Sequence, residues 1–222
     1  MGTPPHLRTA VAVILLLALG VARVSAQEPG VEERLPASTH MFGVLPNYST
    51  IESGDMAAPI TTKQTFQMAA LGSFDPYVFP FVGVVSAMTH APEQSYVERY
   101  GTAMADNAIG NFLTTAIVPF ATGQDPRYFA SGTGSLPRRL AYAASRTVIT
   151  RSRSGHAQFN VSEIGGNAIA ATISNLYYAR PERTVTATLT RWGMQVLWDT
   201  LSNEMKEVWP DIRARLHRRA IE

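Results

Sequence analysis

The chain has 222 residues, 45% of them hydrophobic and 16% charged, and its 19 basic residues nearly balance its 17 acidic ones. Cysteine is absent, which excludes a disulfide framework, thiolate catalysis and Cys-ligated metal. Without a basic, aromatic-interleaved platform there is no basis for nucleic-acid binding.

The first residues have the layout of a secretory signal peptide: Arg8 in the n-region, an apolar run from Ala10 to Ala22, and the small-residue cleavage sequence Val24-Ser25-Ala26. The expected mature start is Gln27. The apolar run is shorter than the ~20 residues a bilayer span needs, which favours cleavage over a retained N-terminal anchor. Residues 1–26 carry Arg8 and Arg23 and no acid, so the exported chain is neutral with 17 residues of each sign. Residues 27–125 hold 3 basic and 10 acidic residues, against 14 and 7 in residues 126–222, a division that draws the halves together. Lysine occurs only at 63 and 206.

Residues 27–60 are rich in Pro, Gly, Ser and acids and read as an extended or disordered arm. Within it, Met41 to Tyr48 is apolar, and either docks on the body or serves as a linear partner-binding motif. Thr61 and Gln64 form a capping box for a helix expected to stop at Gly72. Asp75-Pro76 opens a short apolar helix from Tyr77 to about Thr89. A third helix is expected from Pro92 to Gly123, with a bend at Gly101. Asp125-Pro126 repeats the Asp-Pro start, an echo too unevenly spaced to establish a duplication. From Pro137 helical spacing continues to Thr150, although β-branched Thr147 to Thr150 also suits a strand. Ser152 to Gln158 reads as a polar loop. Asn160 and Glu163 start a helix over 161–178, and Pro181 opens a long helix from about Glu182 to Val208 that Trp209-Pro210 should break.

Two helices carry stripes of small and polar residues. On one, Glu163, Gly166, Asn167, Ala170, Ala171 and Ser174 share a face; on the other, Ala103, Asn107, Gly110, Asn111 and Thr114 do. Small residues admit a close neighbour, so the two stripes are expected to pack together. The fold class that follows is mainly α: a single bundle of about six helices over residues 61–210 with small-residue contacts, preceded by signal peptide and arm and followed by a basic tail over 211–222.

The phrases FGVLPNY (42–48), SFDPYVFP (73–80), DPRYF (125–129), SGHAQFN (154–160), EIGGNAIAATISNLYY (163–178) and KEVWPDI (206–212) together resemble those of a family of uncharacterised exported bacterial helical proteins. The resemblance implies export to the cell envelope and lends no catalytic residue.

Candidate chemistry is sparse. His6 leaves with the signal, His40 and His217 lie in the chain's ends, and His90 and His156 remain. His156 precedes Glu163 by seven residues, a spacing that allows a general-base pair or two metal ligands, or simply a loop histidine beside a capping glutamate. Asp106, Glu163 and Asp199 each occupy a separate helix near Asn or Gln, but the Glu-x-x-His signature of di-iron bundles is missing. A hydrogen-bonded core with Arg127 or Arg146 as counterion is the plainer reading. GTGS at 132–135 lacks a phosphate-loop lysine, and there is no G-x-S-x-G elbow. The expected polar centre is therefore Asp106, Asn107, Asn111, Arg127, His156, Glu163, Asn167 and Asp199, with no cofactor or metal. The expected role is a structural, ligand-binding or membrane-associated protein of the periplasm or cell envelope, whose partner is the envelope membrane or an envelope protein. The alternative is an envelope hydrolase using His156 with Glu163, Asp106 or Asp199.

Overall fold

In a computed structural model the chain is described over residues 40–54, 57–89 and 94–219, and at residue 12 alone before them. The expected signal peptide, the start of the arm and His90 lie outside the described residues. The fold is mainly α, a bundle of six helices with little strand.

Helix α1 spans Thr62–Phe74 and opens on the Thr61/Gln64 capping box. It runs past Gly72 instead of ending there, because α3 stops its carbonyls: Asn107 Nδ2 donates to Ser73 O and Asn111 Nδ2 to Gly72 O. Gly72 is small for the close approach, since a Cβ there would lie 3.4 Å from Asn111 Oδ1. Asp75 then turns the chain into α2, Val78–Met88, accepting from Tyr77 N at 2.9 Å.

Helix α3 starts at Tyr96, not at Pro92, on a second capping box made by Ser95 and Glu98. It runs through Gly101 to Phe112, passes a π-turn at Leu113–Ile117, and continues as Val118–Thr122 to left-handed Gly123. Its face of Ala105, Ile109 and Leu113 meets Ala170 and Tyr177, while Phe112 and Ala116 meet Ala69 of α1. The two striped helices therefore pack together as expected, with Gly166 against Thr114, but Asn107 and Asn111 of the expected stripe turn to α1 instead.

Asp125-Pro126 opens no helix. Gln124–Asp125 (β4) and Tyr128–Phe129 (β5) are short strands, and Asp125 holds Arg127 instead. β5 pairs in parallel with β3 (Thr50–Ile51). Helix α4, Leu136–Arg146, ends four residues before the helix expected to Thr150. The β-branched residues follow their strand preference: β6 (Ile149–Ser152) and β7 (Ala157–Phe159) form a hairpin on β4, replacing much of the expected polar loop. In the arm, β1 (His40–Met41) and β2 (Leu45–Pro46) form a hairpin that docks by burying Met41 and setting the Phe42 ring 4.6 Å from that of Trp209.

Helix α5, Val161–Ser174, is capped by Asn160 Oδ1, which accepts from Glu163 N, and stops short of the expected Tyr178. After a 3-10 turn at Arg180–Glu182, helix α6 runs from Val185 to Arg219 straight through Pro210 and into the expected tail. Proline normally breaks a helix by removing one hydrogen bond and crowding a carbonyl. Here Arg139 of α4 clamps both sides of the proline, donating to Glu207 Oε1 at 2.9 Å and to the Glu207 carbonyl, and pairing with Asp211.

Glu207 has 0% exposure and accepts further bonds from Tyr128 OH at 2.6 Å and from Ser131 N and Gly132 N at 2.9 Å. Burial alone would raise its carboxyl, yet these donors outweigh burial and hold it below its usual range. The Arg213–Glu52 pair at 2.7 Å joins the basic half to the acidic one.

Gly166 faces the π-turn of α3. A Cβ there would lie 3.1 Å from Thr114 Cγ2 and 3.4 Å from the Leu113 carbonyl carbon. Gly166→Leu therefore overpacks the contact by about 1–3 kcal/mol, more than the ~0.8 kcal/mol by which leucine is the better helix former. Its thermal midpoint falls by several degrees. Asn167→Leu, which strips Asp199 of an amide donor, falls as well. Thermal melts check both, and unchanged or raised midpoints would place this face outside the packed interior.

Candidate functional site

The helices enclose a cleft of about 1060 Å³. Its place follows from the packing: α2 leans on α3, α6 on α4 and α5, and the space left between these layers stays open. The walls are apolar, with Phe81 and Val85 from α2 and Met194, Trp198 and Leu201 from α6. Phe81 is 50% exposed and Trp198 54%, and both surfaces line the cleft.

The polar floor has two separate centres. In the first, Asp106 of α3 accepts from Tyr177 OH at 2.6 Å and Tyr178 OH at 2.5 Å. Burial outweighs these bonds and the charge of Arg191, and raises the Asp106 carboxyl above its usual range. Arg191 in turn lies over the Tyr178 ring at 4.4 Å and donates to Asn175 Oδ1 at 2.7 Å.

The second centre joins α5 to α6. Asp199 Oδ2 accepts from Asn167 Nδ2 at 2.7 Å. Burial, and then the charge of Asp199 and a hydrogen bond between the two side chains, push the Glu163 carboxyl well above its ordinary value. Lys206 lies two turns along α6 from Asp199 on the same face. Burial lowers its ammonium, and the two carboxyls pull the other way.

Seven of the eight residues expected in the polar centre, Asp106, Asn107, Asn111, Arg127, Glu163, Asn167 and Asp199, line this cleft. Glu163, Asn167 and Asp199 form one bonded group, and Asn111 donates to Asn107 Oδ1 at 3.2 Å in another. Asn107 and Asn111 serve α1, and Arg127 pairs with Asp125 at 2.7 Å and donates to Ala58 O. Neither Arg127 nor Arg146 neutralises the carboxylates. Arg146 stacks on Tyr142 at 4.6 Å, and the cation beside Glu163 and Asp199 is Lys206. His156 is exposed in the β6–β7 turn, does not line the cleft, and among the described residues its ring makes no hydrogen bond or ion pair. The pairing of His156 with Glu163, Asp106 or Asp199 is therefore not formed. No group of three His, Asp or Glu side chains among the described residues is placed to hold a metal.

Two features escape sequence reasoning. His40, assigned to a mobile end, has its ring nitrogen 2.8 Å from Asp75 Oδ2, which also accepts from Tyr48 OH. Burial, and then the Asp75 carboxylate, push the Tyr48 hydroxyl up to about 12. Burial would raise Asp75 itself, but its bonds from Tyr48, Tyr77 N and His40 hold it low. The hint lay in the FGVLPNY and SFDP phrases, which supply Tyr48 and Asp75. Lys206 is the second, and its rarity in an arginine-rich chain was the available signal.

No protein-family model, curated protein or solved structure matches the chain.

The raised Glu163 carboxyl sets a pH dependence. Its folded value lies above the ordinary 4.5, so its contribution to stability is fully present below that value and is lost as pH rises through the folded one. Glutamine cannot ionise. Glu163→Gln should therefore gain on the wild type as pH rises from acidic to neutral, measured as the difference in urea midpoints. A difference that stays constant with pH would mean that the carboxyl titrates in the folded chain as it does in the unfolded one.

Proposed function

We propose that this is an exported cell-envelope protein that binds an apolar or amphipathic small molecule in the cleft between α2 and α6. The observation that carries the reading is the cleft itself: its volume lies just above the ~300–1,000 Å³ usual for small-molecule sites, and its lining surface is mostly apolar, with charged side chains of α3, α5 and α6 set into it. The signal-peptide sequence and the exported-family phrases support the compartment.

Titrating the purified chain with a series of primary alcohols of increasing length tests it. Trp198 fluorescence should respond saturably, and the unfolding midpoint should rise with ligand, by about 2.7 kcal/mol at a hundredfold excess over Kd. Val85→Trp, which fills part of the cleft, should weaken binding. Absence of saturable binding across the series would sink the reading.

A second reading, peripheral contact with the envelope membrane, is favoured by the outer face of α2. Val84 is 60% and Met88 80% exposed, and the helix contains no ionisable residue. A helix with an apolar outer face normally meets another apolar phase. Among the described residues no single helix is long and apolar enough to cross a membrane, though α1 and α2, bent by 51°, pass that test together. The chain should float with lipid vesicles, and Val84→Glu with Met88→Glu should release it. Recovery wholly in the soluble fraction, unaffected by salt, would remove the membrane from the picture.

A further inference from the structure

Lys206 is one of two lysines in the chain, the other being Lys63 in the first turn of α1. It lines the cleft, and among the described residues its ammonium makes no hydrogen bond. A lysine beside two carboxyls ordinarily donates to them. Here those carboxyls are otherwise engaged: Glu163 with Asp199, and Asp199 with the Asn167 amide. The half-buried amine is left without a protein partner among the described residues and open to a space walled by Trp198 and Met194. Burial favours the neutral amine, which is the nucleophilic form.

We propose that Lys206 is a carbonyl-reactive amine that captures the aldehyde or ketone group of an apolar ligand in the cleft as an imine. The inference rests on the ligand-binding reading of that cleft. In the reaction, the Nζ lone pair forms the C–N bond while the carbonyl π pair moves to oxygen, which takes a proton. The nitrogen loses one proton, giving a carbinolamine. The hydroxyl then takes a second proton and leaves as water, the C=N bond forms, and the nitrogen loses its other proton. Amine and carbonyl thus become imine and water, with no oxidant or reductant. At each of the two stages Glu163 gives a proton to the oxygen and Asp199 takes one from the nitrogen, and the proton passes back from Asp199 to Glu163 through their hydrogen bond, so both carboxyls end as they began. The apolar walls exclude bulk water, which slows hydrolysis of the imine.

Cinnamaldehyde, an apolar aromatic aldehyde, serves as the probe, with cyanoborohydride to reduce the imine and peptide mass mapping to locate it. Lys206 should be labelled faster than Lys63 at neutral pH, because it lines the cleft that holds the probe and burial favours its neutral form. Cinnamyl alcohol, which has the same shape without the carbonyl, should compete with the labelling. Glu163→Gln should slow Lys206 and leave Lys63 alone; an unchanged rate would overturn the proton role given to Glu163. Equal labelling of the two lysines, or labelling of Lys63 only, overturns the proposal. If cinnamyl alcohol raises the wild-type unfolding midpoint while Lys206 stays unlabelled, the ligand-binding reading stands and the reactive lysine falls. If neither compound binds or labels, both fall.

Discussion

The rest of the structure depends on one buried carboxylate. Glu207 draws Tyr128 of β5, the backbone amides of Ser131 and Gly132, and Arg139 of α4 onto α6. A buried ion pair contributes little against an apolar substitute, but losing one partner costs about 3–5 kcal/mol because the other charge stays buried. The neighbourhood is tight as well. A Cβ on Gly132, already at φ +63°, would overlap the Ser53 side chain, so glycine is required where the backbone turns its amide to the carboxylate.

This anchoring explains why a cleft survives in so small a bundle. Helix α6 is fixed to α4 through Glu207 and Asp211, and to α5 through Asn167 and through Trp192, which donates to Ile164 O. With those contacts made, α6 is not free to collapse onto α2. The apolar surfaces of Trp198 and Phe81 remain apart, and the carboxyls of α3, α5 and α6 stay in a partly dry interior. The same separation governs their protonation: Asp106 and Glu163 are raised by burial, while Glu207 and Asp75, ringed by donors, are lowered.

What the amino-acid sequence makes legible here is local. The Thr61 box, the Asn160 cap and the small face of α5 are short-range patterns, and the structure reproduces them. Helix ends set by distant residues were not legible. Gly72 looks like a stop until Asn111 is seen against it, and Pro210 looks like a break until Arg139 is seen holding both sides. The Ser95 box is local too, and its reciprocal bonds with Glu98 start α3 where Pro92 alone suggests an earlier beginning. For the site, the carboxylates and asparagines around the cleft could be named from helical phase, because polar residues on a small-residue face have to be satisfied inside. Their partners could not: Lys206 replaces the expected arginines, and His40 reaches Asp75 from 35 residues away, a separation that no periodicity encodes.

The π-turn of α3 is the place where that rod can take up a change of length. Val118 N–H reaches back to Leu113 O, one residue further than in an α-helix, so the turn holds an extra residue and lets Pro119 follow without breaking the rod. The wider turn absorbs that residue, so deleting one position of 113–117 would restore α-helical geometry and leave the helix after it in nearly its present phase. Val118 would stay buried and Phe120 exposed, and Gly123 would still aim the chain at β4. Elsewhere in α3 the loss of one residue would turn every later side chain by about 100°.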